Sequence, residues 1–186
     1  MAQARTLDDA QIKRVHRYLR TRRNSTRDST IFTFAFNTGL RAKELAALCV
    51  GDAYDAEGAV RDAFVLQRSQ TKGARTRTVY INRTLRVALE QYRPTLYSTL
   101  PTAPLFESRK GGHFSANTMC QLFLGVFADC GLRGATSHTP RRTFITQLAN
   151  KGVGVLAELA GHSSISVTQR YIDVNDAQCA RAVELL

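Results

Sequence analysis

Apolar residues in this chain recur at helical spacing over most of its length, and the pattern turns strand-like in one window, Val60 to Ile81. Two short runs there, Phe64-Val65-Leu66 and Thr78-Val79-Tyr80-Ile81, can supply only a hairpin or small sheet, so helices must build the rest of the core. Thr6-Leu7-Asp8-Asp9 reads as a capping box before a helix with Ile12, Val15 and Leu19 on its inner face. A second helix is expected from about Ser29 to Asn37, broken by Gly39, and a third from about Arg41 with Leu45 and Leu48. Gly51 to Gly58 reads as a polar turn, and Ser69 to Arg77 as a basic, glycine-containing connection between the strands. Asn82 caps a helix bearing Leu85, Ala88, Leu89 and Tyr92, and Pro94 to Pro104 is a loop. Ser115 caps a helix with Met119, Leu122, Phe123, Val126, Phe127 and Cys130 on one face, ended by Gly131 and Gly134. Pro140 suits the first turn of a helix through Phe144, Ile145 and Leu148 to Asn150. Short helices with Leu156 and Leu159, then with Ala177, Ala180 and Val183, complete the chain. The expected fold class is mainly α with a small antiparallel β-sheet, in one domain over residues 1–186.

Composition narrows the function. With 186 residues, 44% apolar and 22% charged, the chain reads as an ordinary globular one rather than a disordered one. The charge is +11, and 21 of its 26 cations are Arg, the cation suited to bidentate phosphate contacts, so a polyanion such as nucleic acid leads the list of partners. The first 30 residues hold eight Lys or Arg and no apolar run, and the longest apolar stretch, Leu122 to Ala128, is far too short for a bilayer. Cys49, Cys120, Cys130 and Cys179 form no C-x-x-C pair, so reduced thiols are expected rather than a disulfide framework or zinc ribbon. These features read as a soluble cytoplasmic protein with no membrane partner.

Four segments carry chemistry. In His138-Thr139-Pro140-Arg141 an imidazole and a guanidinium flank an expected helix start, where backbone N–H groups and the dipole favour an anion; a surface histidine beside a basic turn would look the same. His162 and Tyr171 would lie on opposite faces of one continuous helix. Ser163, Ser164 and Ser166 can restart a helix after His162 and let the pair converge; the plainer alternative is a helix C-cap and a half-buried aromatic. Thr38-Gly39-Leu40-Arg41 feeds a helix with Glu44 on the same face as Arg41, which is either a brace or an ordinary surface ion pair. Thr71-Lys72-Gly73 sits at the tip of the basic connection, where a lysine usually marks only a solvated loop. Asp52, Asp55 and Glu57 read as a solvated turn rather than a metal site.

In their order and company these segments closely resemble the catalytic domain of the tyrosine recombinase (phage integrase) family. That family carries an Arg in a T-G-[LM]-R-x-x-E-L segment, a hairpin Lys, an H-x-x-R pair, a G-H, and a Tyr nine residues after that His. Arg41, Lys72, His138, Arg141, His162 and Tyr171 match these in order, and the likeness runs from about Leu7 to the end. It implies the DNA breaking-rejoining fold without the N-terminal core-binding domain of most members, as in short fimbrial phase-variation recombinases or an excised catalytic fragment. Arg142 stands where many relatives have His, Pro140 where Leu is common, and the span from Gly152 to His162 is shorter than usual.

The resemblance also implies roles. Arg41 and Arg141 would hold the non-bridging oxygens of a DNA phosphate, with Glu44 supporting Arg41. Tyr171 would be the nucleophile, His138 would take its proton, Lys72 would protonate the departing 5′-oxygen, and His162 would bond a phosphoryl oxygen. Arg68, Arg75, Arg77, Arg142 and Arg170 are candidates for DNA contact. Implied partners are double-stranded DNA, further copies forming a tetramer on it, and an accessory DNA-bending protein, with nucleoid association following. No metal, ATP or other cofactor is implied. Ala177, Ala180, Val183 and Leu186 give the tail a modest apolar face, for a neighbouring copy or for its own domain. Competing readings are a DNA-binding protein of this fold without turnover and relaxation of supercoils by a type IB topoisomerase-like activity. A generic RNA-binding module ranks low, since no RNP-type aromatic motif is present.

Overall fold

The structure, a computed structural model, describes residues 4–70 and 76–150. The chain order is α1 (Asp9–Leu19), α2 (Ser25–Thr38), α3 (Ala42–Ala46), α4 (Val50–Ala53), β1 (Ala63–Leu66), β2 (Arg77–Tyr80), α5 (Arg83–Tyr92), α6 (Ala116–Asp129) and α7 (Thr139–Asn150), with a 3₁₀ turn at Arg93–Thr95. The expected helices after Asn150 and Cys179 lie outside the described residues. Cys49, Cys120 and Cys130 are free thiols. No helix among the described residues is long and apolar enough to cross a membrane.

The capping box of α1 falls two residues later than the sequence suggested. Asp8 is the N-cap: its Oδ1 accepts from the Gln11 N–H at 2.8 Å, and Gln11 Oε1 accepts from the Asp8 N–H at 3.3 Å. The neutral Gln11 amide can return that bond, which the Asp9 of the expected box is too short to do well. Val15 and Leu19 are buried as the spacing required.

Helix α2 is the centre of the molecule and begins four residues earlier than expected. Its first turn is polar and shows no apolar period, yet Asp28 is only 1% exposed. Arg22 Nε donates to Asp28 at 3.0 Å and Arg27 Nη2 at 2.8 Å, while Arg27 Nη1 donates to the Glu107 carbonyl at 2.8 Å. Beyond that turn Ile31, Phe32, Phe34 and Ala35 are buried on every side, as in a helix wrapped by others. Buried Thr30 and Thr38 bond back to the Thr26 and Phe34 carbonyls at 2.8 and 2.7 Å, so their hydroxyls enter the core satisfied. Phe32 packs tilted against Phe123 and edge-on against Phe127 of α6, with ring centroids 4.5 and 5.6 Å away. α2 also packs against α1, α3, α5 and α7.

The two strands pair antiparallel, with Phe64 opposite Val79 and Leu66 opposite Arg77. Phe64, Leu66 and Val79 face the core while Val65, Thr78 and Tyr80 face out, the period-two pattern of a half-buried hairpin. Asn82 and Ser115 cap α5 and α6 as read from sequence, accepting from the Leu85 and Thr118 N–H groups. The expected turn at Gly51–Gly58 is instead partly helical, because α4 occupies its start.

His16 on α1 lies beside Phe36 of α2, with ring centroids 6.5 Å apart. Burial, and then Arg20, holds its imidazole below the ordinary value of 6.5. The unfolded chain therefore accepts a proton that the folded protein resists, so this contribution to stability is whole above pH 6.5 and drains away as pH falls below it. Melting temperature should fall on acidification from about pH 7 to about pH 5, and His16→Gln should flatten that slope. Thermal denaturation followed by circular dichroism across this range checks it.

Candidate active site

The site starts from a backbone turn. Gly39 ends α2 in the left-handed region at φ 62°, its N–H bonded to the Ala35 carbonyl at 3.1 Å. A Cβ here would stand 2.5 Å from Phe144 Cδ1, so α7 packs onto the turn closely enough to exclude any side chain. The Gly39 carbonyl accepts from Arg141 Nη1 at 2.9 Å. Arg141, 6% exposed, is thereby held two residues along the backbone from Arg41, although the two lie a hundred residues apart in the chain.

Arg41 is the N-cap of α3 in extended conformation, and its side chain stays 29% exposed. Glu44, one turn on, accepts from the Arg41 N–H at 2.8 Å and from Arg41 Nη1 at 2.9 Å. Its carboxylate is 1% exposed, so this is a buried brace and not the surface ion pair that the sequence left open. The same carboxylate accepts from Arg77 Nη2 of β2 at 3.3 Å. Arg77 is turned inward, 9% exposed, and burial lowers its guanidinium pKa, with Glu44 opposing and Arg41 adding to the shift. Arg77, one of the arginines read from sequence as a candidate for DNA contact, is the second cation on this carboxylate.

His138 precedes α7, and its carbonyl accepts from the Arg142 N–H at 3.0 Å, which makes it the residue that opens the helix. Thr136 and Thr139 exchange bonds around it: Thr136 N–H to Thr139 Oγ1 and Thr139 N–H to the Thr136 carbonyl, both at 2.9 Å. Pro140 occupies the second helical position, where no N–H is needed. Thr143 Oγ1 accepts from the Leu7 N–H at 3.0 Å and ties α7 to the segment entering α1. His138 is exposed and lies just before the first turn of α7, three residues ahead of Arg141.

Arg41 and the segment His138 to Arg141 thus come from two places in the chain to the turn at Gly39, beside Glu44, a buried carboxylate already engaged by two cations. Two guanidiniums and a helix N-terminus are suited to hold a tetrahedral oxyanion. Arg68 is exposed in the turn after β1, and Arg142 is half-buried. Lys72, Arg75, His162, Arg170 and Tyr171 lie outside the described residues. Sequence reading missed Asp52, which is no solvated turn acid: its Oδ2 accepts from the Cys49 N–H and the Gln70 amide, both at 2.8 Å. It also missed Gln70, since a glutamine beside a basic turn carries no pattern.

A mainly helical domain with one hairpin, ordered in this way, is the fold of tyrosine recombinase catalytic domains. Residues 5–178 match the phage integrase family, and the chain belongs to it. It is 30% identical over 165 residues to tyrosine recombinase XerC of Roseiflexus sp. (strain RS-1), covering 84% of this chain and 50% of that protein. It is 33% identical over 158 residues to XerC of Brucella suis biovar 1 (strain 1330), covering 81% and 47%. The chain therefore spans about half the length of the curated relatives it matches. Among solved structures, the Tn1549 transposon integrase in complex with circular intermediate DNA superimposes with a TM-score of 0.77 at 20% identity, covering 99% of this chain and 67% of that one.

Removing the Glu44 carboxylate takes away the acid to which buried Arg77 Nη2 donates. Glu44→Ala should cost about 3–5 kcal/mol of stability in urea unfolding, and adding Arg77→Met should recover most of it. A separate strain acts at the turn: Gly39→Ala should cost about 1–3 kcal/mol from the left-handed backbone alone, and Phe144→Ala should relieve the added clash. Paired denaturation curves of single and double variants check both.

Proposed function

We propose that the chain is the catalytic domain of a site-specific DNA recombinase that cleaves and rejoins DNA through a 3′-phosphotyrosyl intermediate, without metal or ATP. The observation that carries the reading is the bond from Arg141 to the Gly39 carbonyl, two residues along the backbone from Arg41, with His138 just before the helix that bears Arg141. The XerC relatives are named as tyrosine recombinases, and the Tn1549 integrase is seen with DNA, which supports double-stranded DNA as the substrate.

A phosphodiester resists attack because the nucleophile approaches an anion and charge builds on the non-bridging oxygens. Arg41 and Arg141 neutralise that charge and stabilise it as it grows, the role a metal ion fills elsewhere. The Tyr171 hydroxyl, with an ordinary pKa near 10, gives its proton to His138 and attacks phosphorus. The bond to the 5′-oxygen breaks as the phosphotyrosyl bond forms, and that oxygen leaves with a proton from Lys72 while His162 bonds a phosphoryl oxygen. Because the phosphodiester is exchanged and not hydrolysed, a 5′-hydroxyl can attack the phosphotyrosine and reseal the strand without another energy source. Four copies assemble on DNA, assisted by an accessory bending protein, and exposed arginines such as Arg68 hold the backbone.

The decisive experiment recovers DNA linked covalently to the protein from cells and sequences it. The unaltered chain should yield a discrete sequence, and Tyr171→Phe none. An unaltered chain that yields no adduct while still binding DNA would mark a binding protein without turnover, and relaxation of any supercoiled plasmid a topoisomerase-like activity. Binding should also weaken with salt, with a log–log slope of about −5 to −9 for six to ten neutralised phosphates. Titration by fluorescence anisotropy at several salt concentrations measures it.

A further inference from the structure

β2 opens with a charge where its register calls for an apolar residue. Side chains alternate along a strand, so Arg77 shares a face with buried Val79 and stands opposite Leu66, which is fully buried. The arginine side chain is accordingly only 9% exposed. Stability does not ask for a cation there, since a well-packed apolar residue often serves as well as a buried ion pair or better. Nor does Glu44 need a second cation to be satisfied. Its Oε1 already accepts from Arg41 Nη1 at 2.9 Å and its Oε2 from the Arg41 N–H at 2.8 Å. Arg77 Nη2 is added to Oε2 at 3.3 Å.

The addition changes what Arg41 can offer an anion. By themselves Arg41 and Glu44 are a neutral pair, and a phosphate reaching Arg41 would also meet the field of a carboxylate directly behind it. That carboxylate is 1% exposed, so water and salt screen it little. Two guanidiniums on one carboxylate leave a positive charge among the three groups, because an arginine stays protonated even where burial opposes it. Glu44 also holds the Arg41 side chain through one nitrogen and not through the two-nitrogen fork common in such pairs, and that side chain stays 29% exposed.

We propose that Arg77 is a positioning residue for Arg41: by sharing Glu44 it offsets the charge of the brace, so that Arg41 meets a DNA phosphate as a cation and not as half of a neutral pair. The proposal rests on the recombinase reading, with Arg41 at the non-bridging oxygens of the scissile phosphate.

The test uses nicked duplexes carrying the sequence recovered with the protein, with either the natural phosphate or a neutral methylphosphonate at the scissile position, and follows strand cleavage in a single turnover. Arg77→Met leaves an apolar side chain at the core-facing register and Glu44 paired with Arg41 alone. It should slow cleavage of the phosphate by roughly 10- to 100-fold. The methylphosphonate brings one negative charge fewer to Arg41, and its cleavage should slow by less than about threefold. Adding Glu44→Gln removes the charge of the brace while an amide oxygen can still accept from the Arg41 N–H, so the double variant should recover most of the lost rate on the phosphate. Lost packing at position 77 would instead slow both substrates alike and would not be mended at Glu44. Equal slowing on both substrates, no slowing on the phosphate, or a double variant no faster than Arg77→Met overturns the proposal. In any of those cases a Tyr171-dependent adduct from the unaltered chain still upholds the recombinase reading. If the unaltered chain forms no adduct, that reading fails and the proposal with it.

Discussion

One carbonyl oxygen, that of Gly39, is where the two halves of the site meet. It is available because α2 ends in a left-handed turn, which directs the Gly39 carbonyl toward α7 while the next residues start α3. The turn must be glycine for two separate reasons: the sign of φ, and the ring of Phe144 lying where a side chain would go. Close packing of α7 and the bond from Arg141 are thus consequences of the same missing Cβ. The placement of Arg41 follows from it, since α3 begins two residues on with that arginine as its cap.

The second organising force is the disposal of positive charge. A chain of net charge +11 repels itself, and two buried carboxylates answer this locally. Asp28 gathers Arg22 and Arg27 at the head of α2, and Glu44 gathers Arg41 and Arg77 between α3 and β2. Several arginines that composition alone would assign to a polyanion are therefore part of the architecture. At the site Glu44 does both: it accepts a bond from the buried Arg77 and braces Arg41 while leaving the Arg41 side chain partly exposed. Fixing a cation before its anion arrives reduces the ordering cost on binding, which is how preorganised electrostatics act.

Much of this was legible beforehand, and the gaps share a cause. Asn82 and Ser115 were readable because a cap depends on residues three positions away. The strand pair was readable because its period is two. The start of α2 was missed because Asp28 is buried through Arg22, Arg27 and Glu107, and no local period records that. The cap of α1 was misplaced by two residues because two acids and a threonine compete there, and Gln11 decides among them. That Arg77 bonds a buried Glu44 could not be read either, because a strand-end arginine in a basic segment carries no local sign of the carboxylate packed beside it.

What the sequence determined by itself was the hairpin, the long described helices and the family motif, including Arg41, His138 and Arg141, because helical period, caps and short spaced signatures are properties of neighbouring residues. What only the tertiary structure decided was which charges face inward and which groups brace them: Glu44 with Arg77, Asp52 with Gln70, and Arg141 on the Gly39 carbonyl. Those pairs join residues 18, 33 and 102 positions apart, and the free energy of a buried charge or amide depends on the partner that packing brings to it, which no local pattern encodes.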